Sequence, residues 1–340
     1  MKRLRMMLLV AFGVAFAGIQ AQLCVPARAQ SQAPDKYPSK PVKMLVPYGP
    51  GGATDIVARI IGERLRELLG QAFYVENKPG GYGMIAIEDM ARSRPDGYTL
   101  MVGNVSTNAI TPILFKSKLK INYERDVIPV IRLVDVPAFL LVTTTNFAPR
   151  TVPELIDTVK KNPGRVRYGT VGIGSYPDYD MALFAKRAGD LDLTGIPNRA
   201  GAAGVVLDMV MGDTQTAFLN VASTAAMVKA GKLKALAVVN HERLAEFPDV
   251  PTMREVGFPD VGTIAWQGMF APAGTPKEII ETLQKASIQA MEVPAAKRVF
   301  AEQSFNIVPT KSVEEAKTWL GQEMAIWSKI TQEVKIEVPE

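Results

Sequence analysis

VPYGPGGATDIVARIIGERL, Val46 to Leu65, closes a short apolar run with two prolines and three glycines and then passes straight into helical periodicity. Upstream, VKMLVPY (42–48) reads as a strand; downstream, Ile56, Val57, Ile60, Ile61, Leu65, Leu68 and Leu69 recur at helical spacing until Gly70 stops the run. Gly49, Gly51 and Gly52 permit positive φ and close backbone approach, and the first amides of the helix lack intrahelical partners. Free amides at the positive end of a helix form an anion site. Asp55 offers a competing reading, because its carboxylate could cap the helix and repel a second anion. On these residues alone, a plain strand–helix turn stands level with an anion site.

The same rhythm continues along the chain. Strand patterns fall at FYVEN (73–77), YTLMVGN (98–104), FLLVTTT (139–145), VRYGTVG (166–172), TAFLNV (216–221) and LKALAVV (233–239). Helical patterns fall at 84–92, 152–161, 179–188, 203–211, a short stretch reaching Val228, and 313–331. Such alternation predicts an α/β protein with mostly parallel sheets, built as two lobes with a crevice at the carboxyl ends of the strands. A second glycine-rich turn, YGTVGIGSYPDYD (168–180), places the Thr170 and Ser175 hydroxyls beside Gly172 and Gly174. The two turns could face each other across the crevice, or be ordinary flexible turns.

The ends and the composition narrow the function. Lys2, Arg3 and Arg5 precede an apolar or small stretch from Met6 to Ile19, and Ala27 and Ala29 bracket Arg28. That pattern predicts a secretory signal peptide over 1–29. Cys24, the single cysteine, would leave with it, so neither disulfides nor thiol chemistry are expected. Removing the four basic residues of that segment leaves 35 Lys and Arg against 34 Asp and Glu, which gives no argument for nucleic-acid binding.

An enzyme finds little support. His241 is the only histidine and lies in the polar segment VNHERLAEFP. Without a second histidine or a retained cysteine, no His/Cys metal cluster and no Cys–His pair can be built. G-x-S-x-G and the Walker phosphate loop are absent, and GIGSYP reaches Pro177 where a dinucleotide fingerprint needs glycine or alanine. Asp178 and Asp180 could in principle approach a hard cation, but no further ligand run accompanies them. No cofactor and no metal are expected.

The segments YPSKPVKMLVPYGPGGATD, VENKPGGYG, PDGYTLMVGN, YGTVGIGS, AGKLKALAV, FPDVPTMREVGFP and WQGMFAPAGTP, in that order, resemble the extracytoplasmic solute-binding proteins of tripartite tricarboxylate transporters, the Bug or TctC family. The resemblance covers nearly the whole chain from Tyr37. It implies a hinged, two-domain periplasmic-binding-protein-like α/β fold that closes around a small carboxylate held by backbone amides, hydroxyls and waters from one loop of each domain. It further implies a first domain over 36–140 plus about 260–310 and a second over 141–259 plus about 311–340, with crossings near 140 and 260. The C-terminal helix would pack back across.

Carried over residue by residue, the first loop would contribute Gly51, Gly52, Ala53, Thr54 and Asp55, and the second Thr170, Gly174 and Ser175. Ser106 and Thr107 match cleft-facing positions. This chain departs from the family where a Phe-Asp pair becomes Leu219 and Asn220, and where a histidine after the GIGS loop is replaced near Tyr179; both changes bear on ligand selection. Arg199 is the candidate for a second ligand carboxylate, because guanidinium offers bidentate geometry; a solvated surface arginine is the competing reading. Tyr48, Tyr176 and Trp266 could flank an apolar ligand body or simply pack.

The expected partners are a small carboxylate, first a linear dicarboxylate and second an aromatic acid, and the membrane permease subunits of the transporter, with the chain a monomer in the periplasm. A ligand-sensing adaptor for a membrane sensor is the alternative of different class, and an exported α/β enzyme a remote one.

Overall fold

A computed structural model of the protein describes residues 37–198 and 200–336. The expected signal peptide, Cys24 and Arg199 lie outside the described residues.

In chain order the elements are β1 (Val42–Val46), α1 (Ala53–Leu69), β2 (Phe73–Asn77), a short 3-10 turn (Gly81–Gly83), α2 (Met84–Arg92), β3 (Thr99–Asn104), a π-helical turn (Ser106–Ile110) and α3 (Thr111–Leu114). Then follow α4 (Tyr123–Asp126), β4 (Val127–Val136), β5 (Ala138–Thr143), α5 (Val152–Lys161), β6 (Arg167–Thr170), α6 (Tyr176–Arg187), β7 (Thr194–Pro197) and α7 (Ala202–Met211). The chain continues with β8 (Thr216–Asn220), α8 (Val221–Lys229), β9 (Leu233–Val239), β10 (Ala265–Pro272), α9 (Lys277–Glu292), α10 (Pro294–Glu302), β11 (Asn306–Ile307) and α11 (Val313–Glu333).

Two sheets organise them, ordered β11-β4-β10-β3-β1-β2 and β7-β6-β8-β5-β9. The expectation of mostly parallel pairing needs correction: both sheets are mixed. β1 is parallel to β2 and β3, and β6 to β7 and β8, but β10 opposes β3 and β4, while β5 opposes β8 and β9. The cause is the route between the lobes. β1, β3, β6 and β8 all end at the cleft, so a strand that starts there after crossing from the other lobe, as β5 and β10 do, must run the opposite way. The chain crosses at Pro137, between β4 and β5, and again between Val239 and Ala265.

α1 shows how local sequence sets the packing. Val57, Ala58, Ile61 and Leu65 form its buried stripe, each such aliphatic side chain contributing roughly 1.5–3 kcal/mol, less for Ala. Gly62 lies so close to the sheet that a Cβ would meet the Phe73 carbonyl oxygen at 2.8 Å, and Gly70 at φ 77° ends the helix by donating to the Arg66 carbonyl.

α11, expected with the second lobe, lies along β4 of the first. Trp319 meets Trp266 edge-on at 4.5 Å, and Trp266 Nε1 donates to Glu323. Only its C-terminal part reaches the second lobe, where Trp327 packs on Tyr179 of α6 and Glu333 pairs with Arg187.

Candidate functional site

The turn after β1 is held from beneath. Asp55, the third residue of α1 and only 3% exposed, accepts hydrogen bonds from the Gly51 amide (3.0 Å), Asn77 Nδ2 (2.9 Å) and both Arg59 Nε and Nη2 (2.9 Å each). Burial pushes this carboxyl up, but Arg59, the Gly51 amide and Asn77 together outweigh it and hold Asp55 below the ordinary carboxylate range. Asn77 Nδ2 also donates to the Tyr48 carbonyl at 3.0 Å. Gly51, at φ 89°, therefore sits in a conformation that glycine alone adopts without strain. The amides of Gly52, Ala53 and Thr54 are left at an uncapped helix start.

The turn after β6 repeats the device. Asp178, again the third residue of its helix, accepts from the Gly174 amide at 2.8 Å and from the Tyr168 hydroxyl at 2.8 Å. With no guanidinium beside it, burial wins and its carboxyl is raised. Thr170 and Ser175 share a hydrogen bond of 3.1 Å. In this second turn, however, the helix amides are engaged. Ser175 N donates to the Gly172 carbonyl, Asp178 N donates to the Ser175 carbonyl, Pro177 has no N–H, and Tyr176 N donates across the cleft to Ser106 Oγ at 3.0 Å.

These turns border two adjoining spaces. The inner one, about 50 Å³, is lined by Gly52, Ala53 and Thr54 at the start of α1, Tyr176 and Pro177 at the start of α6, Gly201 to Ala203 at the start of α7, and Asn220 at the start of α8, with Asn104, Gln267 and Leu219. It holds on the order of a few waters, or one small polar group. The outer space, about 660 Å³, runs past Gly172, Gly174 and Ser175 to the Pro79–Gly83 turn, Phe115 and Asn198. Tyr48, Gly49, Ser106, Val171 and Gly201 border both.

Burial pushes the Tyr48 phenol up to about 12, so it remains protonated and donates to Asn104 Oδ1 at 2.8 Å. Asn104 Nδ2 reaches Thr54 Oγ1 at 3.3 Å. Gln267, 1% exposed, leaves its Oε1 without a hydrogen-bond partner beside the inner space.

The structure thus gathers Tyr48, Gly52, Ala53, Thr54, Ser106, Gly174, Ser175 and Asn220 around the cleft. Asp55 and Gly51 sit behind it as a clamp, Thr170 lies beneath Ser175, and Thr107 is buried among Asn104 and Asn108, donating to Asn108 Oδ1 at 2.7 Å. Asn220 Oδ1 caps α8 by accepting from the Ser223 amide at 2.9 Å. Trp266 does not flank the cleft: it is 1% exposed and packed under α11. Tyr179, expected on the selecting side, is likewise in the core against Trp327, and α6 begins at Tyr176 rather than at 179. Asn104, Gln267 and the start of α7 were not singled out from sequence. Asn104 ends the YTLMVGN strand and Gly201 precedes a helix, the two positions at which an α/β crevice is built.

Two lobes, each sending strand ends and helix starts to a shared polar cleft and joined by two crossings, define a hinged solute-binding protein. The chain belongs to the tripartite tricarboxylate transporter family receptors, TctC, whose pattern it matches over residues 57–336. Solved structures that share the fold include the following three. The periplasmic binding protein BugD is 29% identical, with a TM-score of 0.80 over 88% of this chain and 99% of its own. A Rhodopseudomonas palustris protein with adipate is 28% identical, with a TM-score of 0.83 over 88% and 99%. MatC of the same species, with bound malate, is 29% identical, with a TM-score of 0.79 over 86% and 99%.

Proposed function

We propose that the protein captures a small carboxylate in the periplasm and presents it, as a closed complex, to the membrane subunits of a tripartite tricarboxylate-type transporter. The observation that carries this reading is the convergence of four helix starts on an inner space bordered by no charged side chain among the described residues. A carboxylate there meets the amides of Gly52, Ala53 and Thr54 and the positive ends of helices, and no fixed anion opposes it. Asp55 does not repel it, because that carboxylate is turned to Gly51, Asn77 and Arg59.

Binding rather than catalysis fits the same groups. His241 is exposed beyond β9, and the three buried carboxylates near the cleft are spent on structure, Asp55 on Gly51, Asn77 and Arg59, Asp178 on Gly174 and Tyr168, Asp180 on Thr263. The segment 1–29 accounts for export, and among the described residues no helix is long and apolar enough to cross a membrane. Adipate and malate in the related structures make linear dicarboxylates one candidate class; aromatic acids are the second. The helix starts select for the carboxylate itself, so the choice between classes falls to the wall of the outer space.

The test is calorimetry on protein unfolded and refolded to strip bound solute, titrated with adipate, malate and benzoate. A ligand at about 100 times its Kd should add roughly 2.7 kcal/mol to stability. Gly52→Val, where a Cβ meets no protein atom within 4 Å, should keep the fold and its Tm while weakening every carboxylate at least about tenfold. Unaltered affinity in that variant would overturn the amide cradle.

A further inference from the structure

The Pro79–Gly83 turn carries a tyrosine where the backbone favours glycine. Gly80, Gly81, Tyr82 and Gly83 have φ of 120°, 54°, 56° and 87° in succession. A left-handed tyrosine is strained, and the strain persists only where the surroundings impose it. Here Thr111 Oγ1 donates to the Tyr82 carbonyl at 2.8 Å, and a Cβ on Gly83 would lie 2.5 Å from Thr107 Cγ2, so the turn is pinned on both sides of the tyrosine. The ring itself is stacked on Phe115, centroids 4.6 Å apart and planes 19° from parallel. Phe115 is 2% exposed and Tyr82 37%, so a buried ring supports a presented one at the edge of the outer space.

The rest of that wall mixes apolar with small polar groups, since Ser106, Thr111, Ser175 and Asn198 border it too. Pro47, Pro79, Val171 and Ile173 continue the apolar surface, and no Asp, Glu, Lys or Arg borders either space among the described residues. At about 660 Å³ the outer space is in the range that holds a compact small molecule. The start of α6 has already spent its amides on Ser106, Gly172 and Ser175, so it offers a second carboxylate no free donor. An uncharged ring gains instead, by burial and by face or edge contact with Tyr82.

Building on the carboxylate reading above, we propose that Tyr82 is the residue that selects the ligand body, and that the ligand is a carboxylic acid carrying a flat or alicyclic ring, its carboxylate at the helix starts and its ring against Tyr82.

Calorimetry of the stripped protein with benzoate, cyclohexanecarboxylate, benzamide and adipate tests this in wild type, Tyr82→Gly and Tyr82→Phe. Tyr82→Gly removes the ring and relieves the backbone, so its fold is not at risk. The ring acids should bind the wild type more tightly than adipate does, lose about tenfold in Tyr82→Gly, and lose less than about threefold in Tyr82→Phe. Benzoate affinity unchanged in Tyr82→Gly, or adipate preferred by the wild type, overturns the ring selection and leaves carboxylate capture standing. Benzamide binding as tightly as benzoate, or no acid binding to the folded protein, overturns carboxylate capture itself.

Discussion

Asp55 and Asp178 share one position, the third residue of a helix, and one task, accepting the amide of the glycine four residues earlier. The pattern Gly-x-x-x-Asp is visible in GGATD and GSYPD once the turn geometry is known; read without it, Asp55 passes for a ligand contact. Its removal acts through the loop. Asp55→Ala leaves the Gly51 amide and Asn77 short of an acceptor, so stability should fall by about 1–3 kcal/mol. All carboxylates should weaken by a similar factor, in contrast to Tyr82→Gly, which changes their ranking. Urea unfolding and calorimetry over the same panel check this, and a selective loss of one ligand would instead put Asp55 in the site. Because Asp55 is held below its ordinary value, its contribution is present above about pH 4 and is lost as pH falls through that lowered value.

At the scale of elements, α6 is tied to the second crossing by a buried carboxylate. Asp180 accepts from Thr263 N at 3.0 Å and Thr263 Oγ1 at 2.7 Å, and burial, outweighing these two donors, pushes its carboxyl up to about 7. The sign is opposite to that of Asp55. A folded-state value raised above 3.8 favours the folded protein fully at low pH, and the advantage drains away as pH rises towards 7. Asp180→Asn stays neutral throughout, so its Tm profile between about pH 5 and 8 should be flatter than the wild type, with the variant gaining at the alkaline end. Parallel profiles would show that Asp180 does not titrate in that window. Much of the element pattern was legible: β1, α1, β2, β3, β6, β8 and β9 coincide with their sequence patterns to within a few residues. β4 and β10 escaped notice because VIPVIRLVDV and AWQGMFAP carry no two-residue alternation, and AWQGMFAP is buried on both faces. Trp266 misled for a related reason: an aromatic beside a strand end looks the same in sequence whether it faces a cleft or, as here, the helix that covers the sheet.

At the scale of the whole molecule, the two lobes touch directly where Ser106 Oγ accepts from Tyr176 N, on the border of the inner space. This bond spans the lobes and exists only while they are together. Ser106→Ala should therefore weaken all ligands about two- to tenfold without lowering the thermal stability of the stripped protein by more than a degree or two. Small-angle scattering should show the stripped wild type contracting on saturation with a ligand, and Ser106→Ala contracting only at higher ligand concentration. An invariant radius of gyration under proven saturation would argue for a rigid pocket. α11 adds a constraint of its own, lying along β4 while Trp327 and Glu333 reach α6, so any pivot about Pro137 must slide or bend at that contact. The anion cradle, finally, is made of peptide amides rather than side chains. Short of proline, point mutation can crowd such groups but cannot delete them, whereas the wall formed by Tyr82, Phe115, Val171 and Ile173 is open to replacement residue by residue. A lineage built on this plan can keep its grip on acids while changing, one codon at a time, which acid it carries.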